Sequence, residues 1–164
     1  MRIGVLSDTH IPDIADKLPE KMLEDFKTVD MVIHAGDITD LGVLDEIKKF
    51  CGNIKAVRGN MDSYATRAKL QEKEIIKLGN FIIGVMHGRG HPNGLIELMK
   101  RAFKDDRSQL VIFGHSHSPL ELKEEGVIYF NPGSPTDTLF APYKSYGIIE
   151  IDKDNKIKTQ IIKI

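Results

Sequence analysis

Side chains with metal-binding atoms follow five short apolar segments of the chain. Asp8 and His10 come after the first segment, and His115 and His117 come after the fifth. The members of each pair are two positions apart, so both side chains lie on the same side of an extended backbone. Imidazole and carboxylate groups together suit borderline divalent metals. The complete set of polar residues at the segment ends is Asp8, His10, Asp37, Asn60, Asp62, His87, His115 and His117.

The five apolar segments have the length and branched composition of buried β-strands. They span residues 2–7, 31–35, 54–57, 81–86 and 110–113. In open α/β sheets, ligands bind beyond the carboxyl ends of the strands. Any one of the polar residues is typical of an ordinary turn, but explaining all of them that way requires a series of coincidences. The pattern therefore predicts that they meet at one rim and form a metal site.

Amphipathic segments separate these strands, and the last third of the chain is mostly extended. Helical spacing of apolar residues predicts three helices, over residues 19–27, 41–50 and 93–103. Asp40 is the predicted cap of the second helix and Asn93 that of the third. Further strands are predicted over residues 74–77, 127–130, 146–151 and 157–164. This order predicts one α/β domain over residues 1–164, with two mixed β-sheets packed face to face and helices outside.

The composition narrows the classes of partner and compartment. The 164 residues include 23 Lys and Arg against 24 Asp and Glu, a formal net charge of −1. Binding to a long nucleic acid needs many cationic contacts, so this partner is not expected. Cys51 is the single cysteine, which favours a reducing compartment. The only apolar run near the N-terminus, residues 3–6, is too short for a signal peptide or a membrane span. We therefore expect a cytoplasmic protein without a membrane partner.

The order of these motifs resembles the calcineurin-like metallophosphoesterases. The motifs that carry the resemblance are Asp8-x-His10, Gly36-Asp37, Gly59-Asn60, His87-Gly88 and Gly114-His115-Ser-His117. The similarity spans the whole chain and is strongest to the small bacterial and archaeal phosphodiesterase branch. It implies a four-layer α-β-β-α sandwich and a site for two divalent metal ions, with Mn²⁺ or Ni²⁺ favoured and Zn²⁺ or Fe as alternatives. Carried over by position, Asp8, His10, Asp37 and His117 hold one ion, and Asp37, Asn60, His87 and His115 hold the other.

The charges of such a centre suit a small phosphodiester substrate. Two divalent ions, two carboxylates and a bridging hydroxide leave roughly one positive charge, because the Asn60 amide coordinates without adding negative charge. The bridging hydroxide is the expected nucleophile for in-line attack on phosphorus. Rival phosphate-handling classes lack support: the chain has neither a P-loop motif nor a dinucleotide-binding glycine motif.

One position departs from the broader family. Many members have a His after the metal-binding Asn, where it is thought to protonate the leaving group, but this chain has Met61. Asp62 could substitute for that acid, orient a water or His10, or simply cap the next turn. General acid catalysis is commonly worth about 10²–10⁴-fold. We therefore expect fast cleavage only for esters with good leaving groups.

Further residues are predicted with open alternatives. Asn60, Arg89 and His91 are candidate substrate contacts, and Arg58 is another cation near the ligands. His34 is either a support of the site or a core histidine. The loop at residues 131–134 resembles one that the family places near the active site.

Two other functions remain as alternatives. A phosphomonoesterase acting on a small phosphorylated metabolite differs only in its substrate. The family also includes a scaffold subunit of the retromer coat, which binds partner proteins and lacks the full ligand set. Members often self-associate, so a homo-oligomer is a further expectation from the resemblance.

Overall fold

The computed structural model describes residues 1–164 and contains ten strands and four α-helices. In chain order the elements are β1 (Arg2–Leu6), α1 (Glu20–Phe26), β2 (Met31–His34), α2 (Gly42–Lys48), β3 (Ile54–Ala56), α3 (Tyr64–Lys69), β4 (Lys73–Leu78), β5 (Phe81–Met86), α4 (Leu95–Phe103), β6 (Leu110–Ile112), β7 (Leu120–Glu124), β8 (Val127–Asn131), β9 (Ser145–Ile151) and β10 (Ile157–Lys163). A short 3₁₀ turn, Pro92–Gly94, precedes α4.

The strands form two mixed five-stranded sheets. The first has the order β10-β9-β1-β2-β3, in which β1, β2 and β3 are parallel. The second has the order β4-β5-β6-β8-β7, in which β5, β6 and β8 are parallel. Because β1, β2 and β3 run parallel, their carboxyl ends lie along one edge of the first sheet. The carboxyl ends of β5, β6 and β8 lie along one edge of the second sheet for the same reason.

Three apolar clusters hold the layers together. The largest lies between the sheets and includes Ile33, Ile83 and Phe130. A second packs α1 and α2 on the outer face of the first sheet, and a third packs α4 on the outer face of the second. The central strands, which are rich in β-branched residues, are buried on both faces. Their sequences are therefore continuous apolar runs. These layers confirm the predicted four-layer α-β-β-α sandwich.

Two elements and two caps differ from the sequence prediction. No element was predicted at α3, which buries only Thr66, or at β7, an edge strand of mostly charged residues. The prediction that Asp40 caps α2 is wrong: Asp40 accepts a hydrogen bond from Gly42 N at 2.7 Å, but Leu41 occupies the cap position. The prediction that Asn93 caps α4 is also wrong, because Asn93 lies inside the 3₁₀ turn and Gly94 occupies the cap position. The local Pro92-Asn93-Gly94 sequence forms a turn before the apolar stripe begins.

The helices are short. The longest, α4, has nine residues, and none has the length and apolar character needed to cross a membrane.

Candidate metal centre

Five strands bring the predicted metal ligands to one end of the sandwich. The turns after β1, β2 and β3 lie side by side in the first sheet, and those after β5 and β6 do so in the second. The sheets are joined here because His115 N donates to Asp8 Oδ2 at 3.0 Å. The residues that the structure brings together on this rim are Asp8, His10, Asp37, Asn60, Asp62, His87, His115 and His117.

The first group of ligand atoms surrounds Asp8 and Asp37. His117 Nε2 lies 3.4 Å from Asp8 Oδ1, and His10 Nε2 lies 3.5 Å from Asp37 Oδ2. The two imidazole Nε2 atoms face each other at 3.3 Å. Asp8, His10 and His117 have ligand atoms close enough together to hold one ion.

The second group lies on the other side of Asp37. His87 Nε2 is 3.1 Å from Asp37 Oδ2 and 3.7 Å from Asp8 Oδ1, and these three residues form a second cluster able to hold an ion. Asn60 Oδ1 lies 2.8 Å from His115 Nδ1. The His115 ring packs edge-on against that of His87, with 5.4 Å between centroids.

Both carboxylates accept hydrogen bonds from the backbone and present an oxygen to the imidazoles. Asp37 Oδ1 accepts a hydrogen bond from Met61 N at 2.7 Å, which leaves Oδ2 facing His10 and His87. The His115 amide donates to both oxygens of Asp8, to Oδ2 at 3.0 Å and to Oδ1 at 3.2 Å, and Oδ1 also faces the imidazoles. Asp8 is fully buried and Asp37 is 2% exposed, so these charges need a compensating cation nearby.

Three imidazoles are oriented by a hydrogen bond from one ring nitrogen, which directs the other nitrogen toward the ligand clusters. His87 Nδ1 donates to Ala35 O, and His115 Nε2 donates to Gly90 O, each at 2.8 Å. His117 Nδ1 donates to the Asp137 carboxylate. Metal-binding histidines commonly donate their other N–H in this way. His87 Nε2 is buried without a hydrogen-bond partner, so the donor set fits a metal ion.

The electrostatics of the cluster favour positive charge. Burial favours neutral His87, but the Asp8 and Asp37 carboxylates raise the pKa of His87 to about 9. Burial also opposes the ionised form of Asp37, yet His87 and the Met61 amide hold the pKa of Asp37 below its usual value. The carboxylates that favour a proton on His87 also attract a divalent cation.

The backbone of the ligand turns is unusual. Among nine non-glycine residues with positive φ, five are predicted ligands: Asp8, His10, Asp37, His115 and His117. Such conformations cost energy in residues with a side chain and cluster at functional sites. Two glycines permit the turns to approach each other. A Cβ at Gly59 would overlap Asp37, and one at Gly114 would overlap Ser7 and Asp8.

Asp62 binds the backbone of the neighbouring turns. Its Oδ1 accepts hydrogen bonds from Ile38 N at 2.6 Å and Thr39 N at 2.7 Å, and its Oδ2 accepts from Gly59 N at 2.6 Å. The side chain therefore holds the turn carrying Asp37 against the turn carrying Asn60. Of the roles open at the sequence level, this geometry favours positioning over proton donation.

Sequence reasoning missed Asp137 as part of the site. Besides His117, it accepts hydrogen bonds from backbone N–H groups of the following turn, including Leu139 N at 2.7 Å. Burial disfavours its charge, but these hydrogen bonds from Leu139 N and His117 hold the pKa of Asp137 below its usual value. The only signal was its place just after the loop at residues 131–134. In that loop Ser134 Oγ donates to Asp8 O at 2.7 Å, so the loop does contact the site.

The remaining candidates lie around the ligands. His34 is fully buried, with Nε2 3.1 Å from Thr9 Oγ1 and Nδ1 accepting from Gly36 N. Burial, together with the nearby His87, lowers the pKa of His34 to about 3. His91 is exposed and accepts from Asn93 N, while Arg89 pairs with a carboxylate at the edge of the site.

An open cleft of about 920 Å³ leads to the ligands. The predicted ligands His10, Asp37, His115 and His117 line it, as do Met61 and Phe140. Met61 is 60% exposed, and the Phe140 ring lies edge-on to that of His117. The cleft has room for a small phosphoester beside the ligand atoms.

Comparison with known proteins agrees with this geometry. The profile of the calcineurin-like phosphoesterase superfamily domain matches residues 1–154. A probable metallophosphoesterase from Methanocaldococcus jannaschii is 36% identical over 165 residues, covering 100% of this chain and 82% of that protein.

Two solved structures share the fold over their whole length. An archaeal phosphodiesterase has a TM-score of 0.76 at 25% identity, covering 99% of this chain and 100% of the other. A single mutant of Vps29 from Entamoeba histolytica has a TM-score of 0.80 at 25% identity, covering 100% and 99%. With the profile match, they confirm the resemblance seen in the motifs. The chain belongs to the calcineurin-like phosphoesterase superfamily.

Proposed function

We propose that the protein is a metal-dependent phosphodiesterase acting on small phosphodiesters. The observation that carries the proposal is the position of Asp37 Oδ2, which lies 3.5 Å from His10 Nε2 and 3.1 Å from His87 Nε2. A carboxylate oxygen between two groups of imidazoles can serve as a ligand common to two cations. The similarity to an archaeal phosphodiesterase supports diesters as the substrate class.

Two sets of side chains would hold two divalent ions. The first is Asp8, His10, Asp37 and His117, and the second is Asp37, Asn60, His87 and His115. Four imidazoles with oxygen ligands suit Mn²⁺, Ni²⁺, Zn²⁺ or Fe, and we favour Mn²⁺ or Ni²⁺. When bound, such ions activate water as a nucleophile and stabilise the charge on the phosphoryl oxygens.

The protein residues would make the centre selective for an anion. Asp8 and Asp37 supply two negative charges, which neutralise only half of the charge on two divalent ions. Asn60 is neutral and exposed in the cleft, so it would contact a ligand without repelling a phosphate. Arg89 and His91 are exposed beside this turn and are further proposed substrate contacts.

Hydrogen bonds from neighbouring groups would hold the ligand side chains in position. Asp137 holds the His117 ring, Ala35 O holds the His87 ring, and Asp62 ties the Asp37 turn to the Asn60 turn. A site held by such hydrogen bonds needs little reorganisation when substrate binds.

The test is hydrolysis of bis(p-nitrophenyl) phosphate by metal-loaded protein. Chelation is expected to abolish turnover, and Mn²⁺ or Ni²⁺ is expected to restore it. Asp37→Ala is expected to lose activity under the same conditions. Asp13→Ala is a matched control, because Asp13 is an exposed aspartate in the same cleft but outside the ligand clusters. Activity that survives chelation, or that Asp37→Ala retains, would overturn the proposal.

The similarity to Vps29 favours a second candidate, a scaffold that binds partner proteins. A scaffold does not need seven ligand side chains gathered at one end of the sandwich. No phosphoesterase activity with any of the four metals, together with a stable partner in a pull-down, would favour the scaffold. A phosphomonoesterase would instead hydrolyse p-nitrophenyl phosphate faster than the diester.

A further inference from the structure

A second cavity adjoins the metal centre and is lined by cationic side chains. Its volume is about 310 Å³, and Asn60 and His87 form part of its wall. It lies among the turn after β3, helix α3, the residue before β4 and the turn after β5. The charged residues that line it are Arg58, Arg67, Glu72 and Arg89. The lining thus carries three guanidinium groups and one carboxylate beside two predicted metal ligands.

Glu72 satisfies only part of this positive charge. Its Oε1 lies 3.0 Å from Arg89 Nη1, and its Oε2 lies 3.5 Å from Arg58 Nη2. Arg58 also donates to Arg67 O, and Arg67 donates to Asn60 O. One carboxylate against three guanidinium groups leaves about two positive charges in excess. Each guanidinium carries five N–H donors, so several remain for a ligand.

The ion pairs that line the cavity are weak enough to rearrange. The Glu72 side chain is 52% exposed, and that of Arg89 is 71% exposed. Exposed ion pairs contribute about 0–1 kcal/mol, so a ligand can displace the carboxylate at little cost. A phosphate offers each arginine a bidentate, more highly charged partner than a single carboxylate oxygen.

We propose that this cavity, which we call the arginine cavity, binds a second phosphate of the substrate while the scissile diester lies at the metal centre. The substrate class is then a small phosphodiester that carries another phosphate on the same molecule, such as a nucleotide with two phosphate groups. This inference rests on the proposed function for the identity of the scissile group. Its physical basis is separate, because it depends on the arginines and not on the metal ligands.

A pair of nucleotide ligands tests the proposal by binding. Thymidine 3′,5′-bisphosphate and thymidine 5′-monophosphate are titrated into Mn²⁺-loaded protein by isothermal titration calorimetry. We expect the bisphosphate to bind at least tenfold more tightly than the monophosphate. Equal affinity, or binding of neither ligand, would overturn the proposal.

Variants that remove a positive or a negative charge from the cavity distinguish phosphate binding from a purely structural role of these residues. Arg58→Gln and Arg89→Gln are each expected to reduce the affinity ratio severalfold, because each removes a phosphate donor. Glu72→Gln is expected to raise the ratio, because it removes the competing carboxylate. A Glu72→Gln variant with a lowered or unchanged ratio would contradict the competition on which the proposal depends.

Lys77→Gln is the charge-matched control. Lys73 is paired with Met86 at the site end of β4, whereas Lys77 is paired with Ile82. Lys77 is therefore four residues, or about 13 Å, farther from the site along the strand. It is exposed, and its loss should leave the affinity ratio unchanged.

Failure of this inference is distinguishable from failure of the proposed function. Hydrolysis of bis(p-nitrophenyl) phosphate without discrimination between the nucleotides would refute the arginine cavity alone. Tighter binding of the bisphosphate without metal-dependent hydrolysis would refute the proposed phosphodiesterase activity. The arginine cavity would then stand as an anion-binding site.

Discussion

Replacing Asp62 by alanine would leave three backbone N–H groups without their acceptor. Ile38, Thr39 and Gly59 now donate to this carboxylate at 2.6–2.7 Å, and Asp62 is 5% exposed. An unsatisfied buried donor costs about 1–3 kcal/mol. With some water entering from the cleft, we expect Asp62→Ala to lower the free energy of unfolding by about 3–5 kcal/mol.

Asp62→Asn keeps the size and shape of the side chain but removes its negative charge and one acceptor oxygen. Its remaining oxygen can still accept from Ile38 and Thr39, but its NH₂ group then faces the Gly59 N–H. One donor is left unsatisfied, so we expect a loss of about 1–3 kcal/mol. Asp40→Ala is the matched control, because Asp40 accepts from one exposed amide, that of Gly42. Its loss should cost about 0.5–1 kcal/mol.

Urea denaturation of metal-free protein measures these differences, and rates measured with metal test the alternative role. If Asp62 only positions the turns, its substitution should slow aryl and alkyl diesters by the same factor. If Asp62 protonates the leaving group, Asp62→Asn should slow the alkyl diester much more. Asp62→Ala within 1 kcal/mol of the parent protein, or a loss confined to poor leaving groups, would refute the positioning role.

Three further predictions follow from the site. Because exposed Met61 stands where an acid would be, bis(p-nitrophenyl) phosphate should be cleaved at least about 10²-fold faster than an unactivated alkyl diester, and comparable rates would reveal an acid elsewhere. Asp137→Asn should weaken metal binding by about 10–100-fold in a chelator competition, since it disturbs the group that orients His117; unchanged affinity would contradict this. His34 has its pKa lowered to about 3, so below pH 6.5 the unfolded chain takes up a proton that the folded chain excludes. From pH 6.5 to pH 5 the metal-free protein should therefore lose about 2 kcal/mol more unfolding free energy than His34→Gln, and equal losses in urea titrations would contradict the buried neutral state.

The sequence allowed prediction of the features that depend on local pattern. Continuous apolar runs indicated the central strands, and the polar residues after those runs indicated where ligand atoms meet. Asp8 and His10 could be placed together because they are two positions apart at a strand end. The fold class and the family followed from the order of these signals.

The parts that were missed depend on contacts between distant turns. Asp137 lies 20 residues beyond His117, and only the folded loop shows that the two are joined. The role of Asp62 depends on the path of two backbone turns, which no spacing rule gives. Helix α3 and strand β7 lack a strong apolar stripe, so their formation depends on neighbouring elements. Asn93 looked like a cap because its type is favoured there, but the Pro-Asn-Gly turn moved the start of α4.

The most direct test of the metal centre is the metal content of the purified protein. After equilibration with Mn²⁺ and removal of free metal, inductively coupled plasma mass spectrometry should find two ions per chain. Asp37→Ala should lose both, whereas Asp13→Ala should keep both. A chain that retains no metal, or an Asp37→Ala variant that retains the full complement, would contradict the proposed centre.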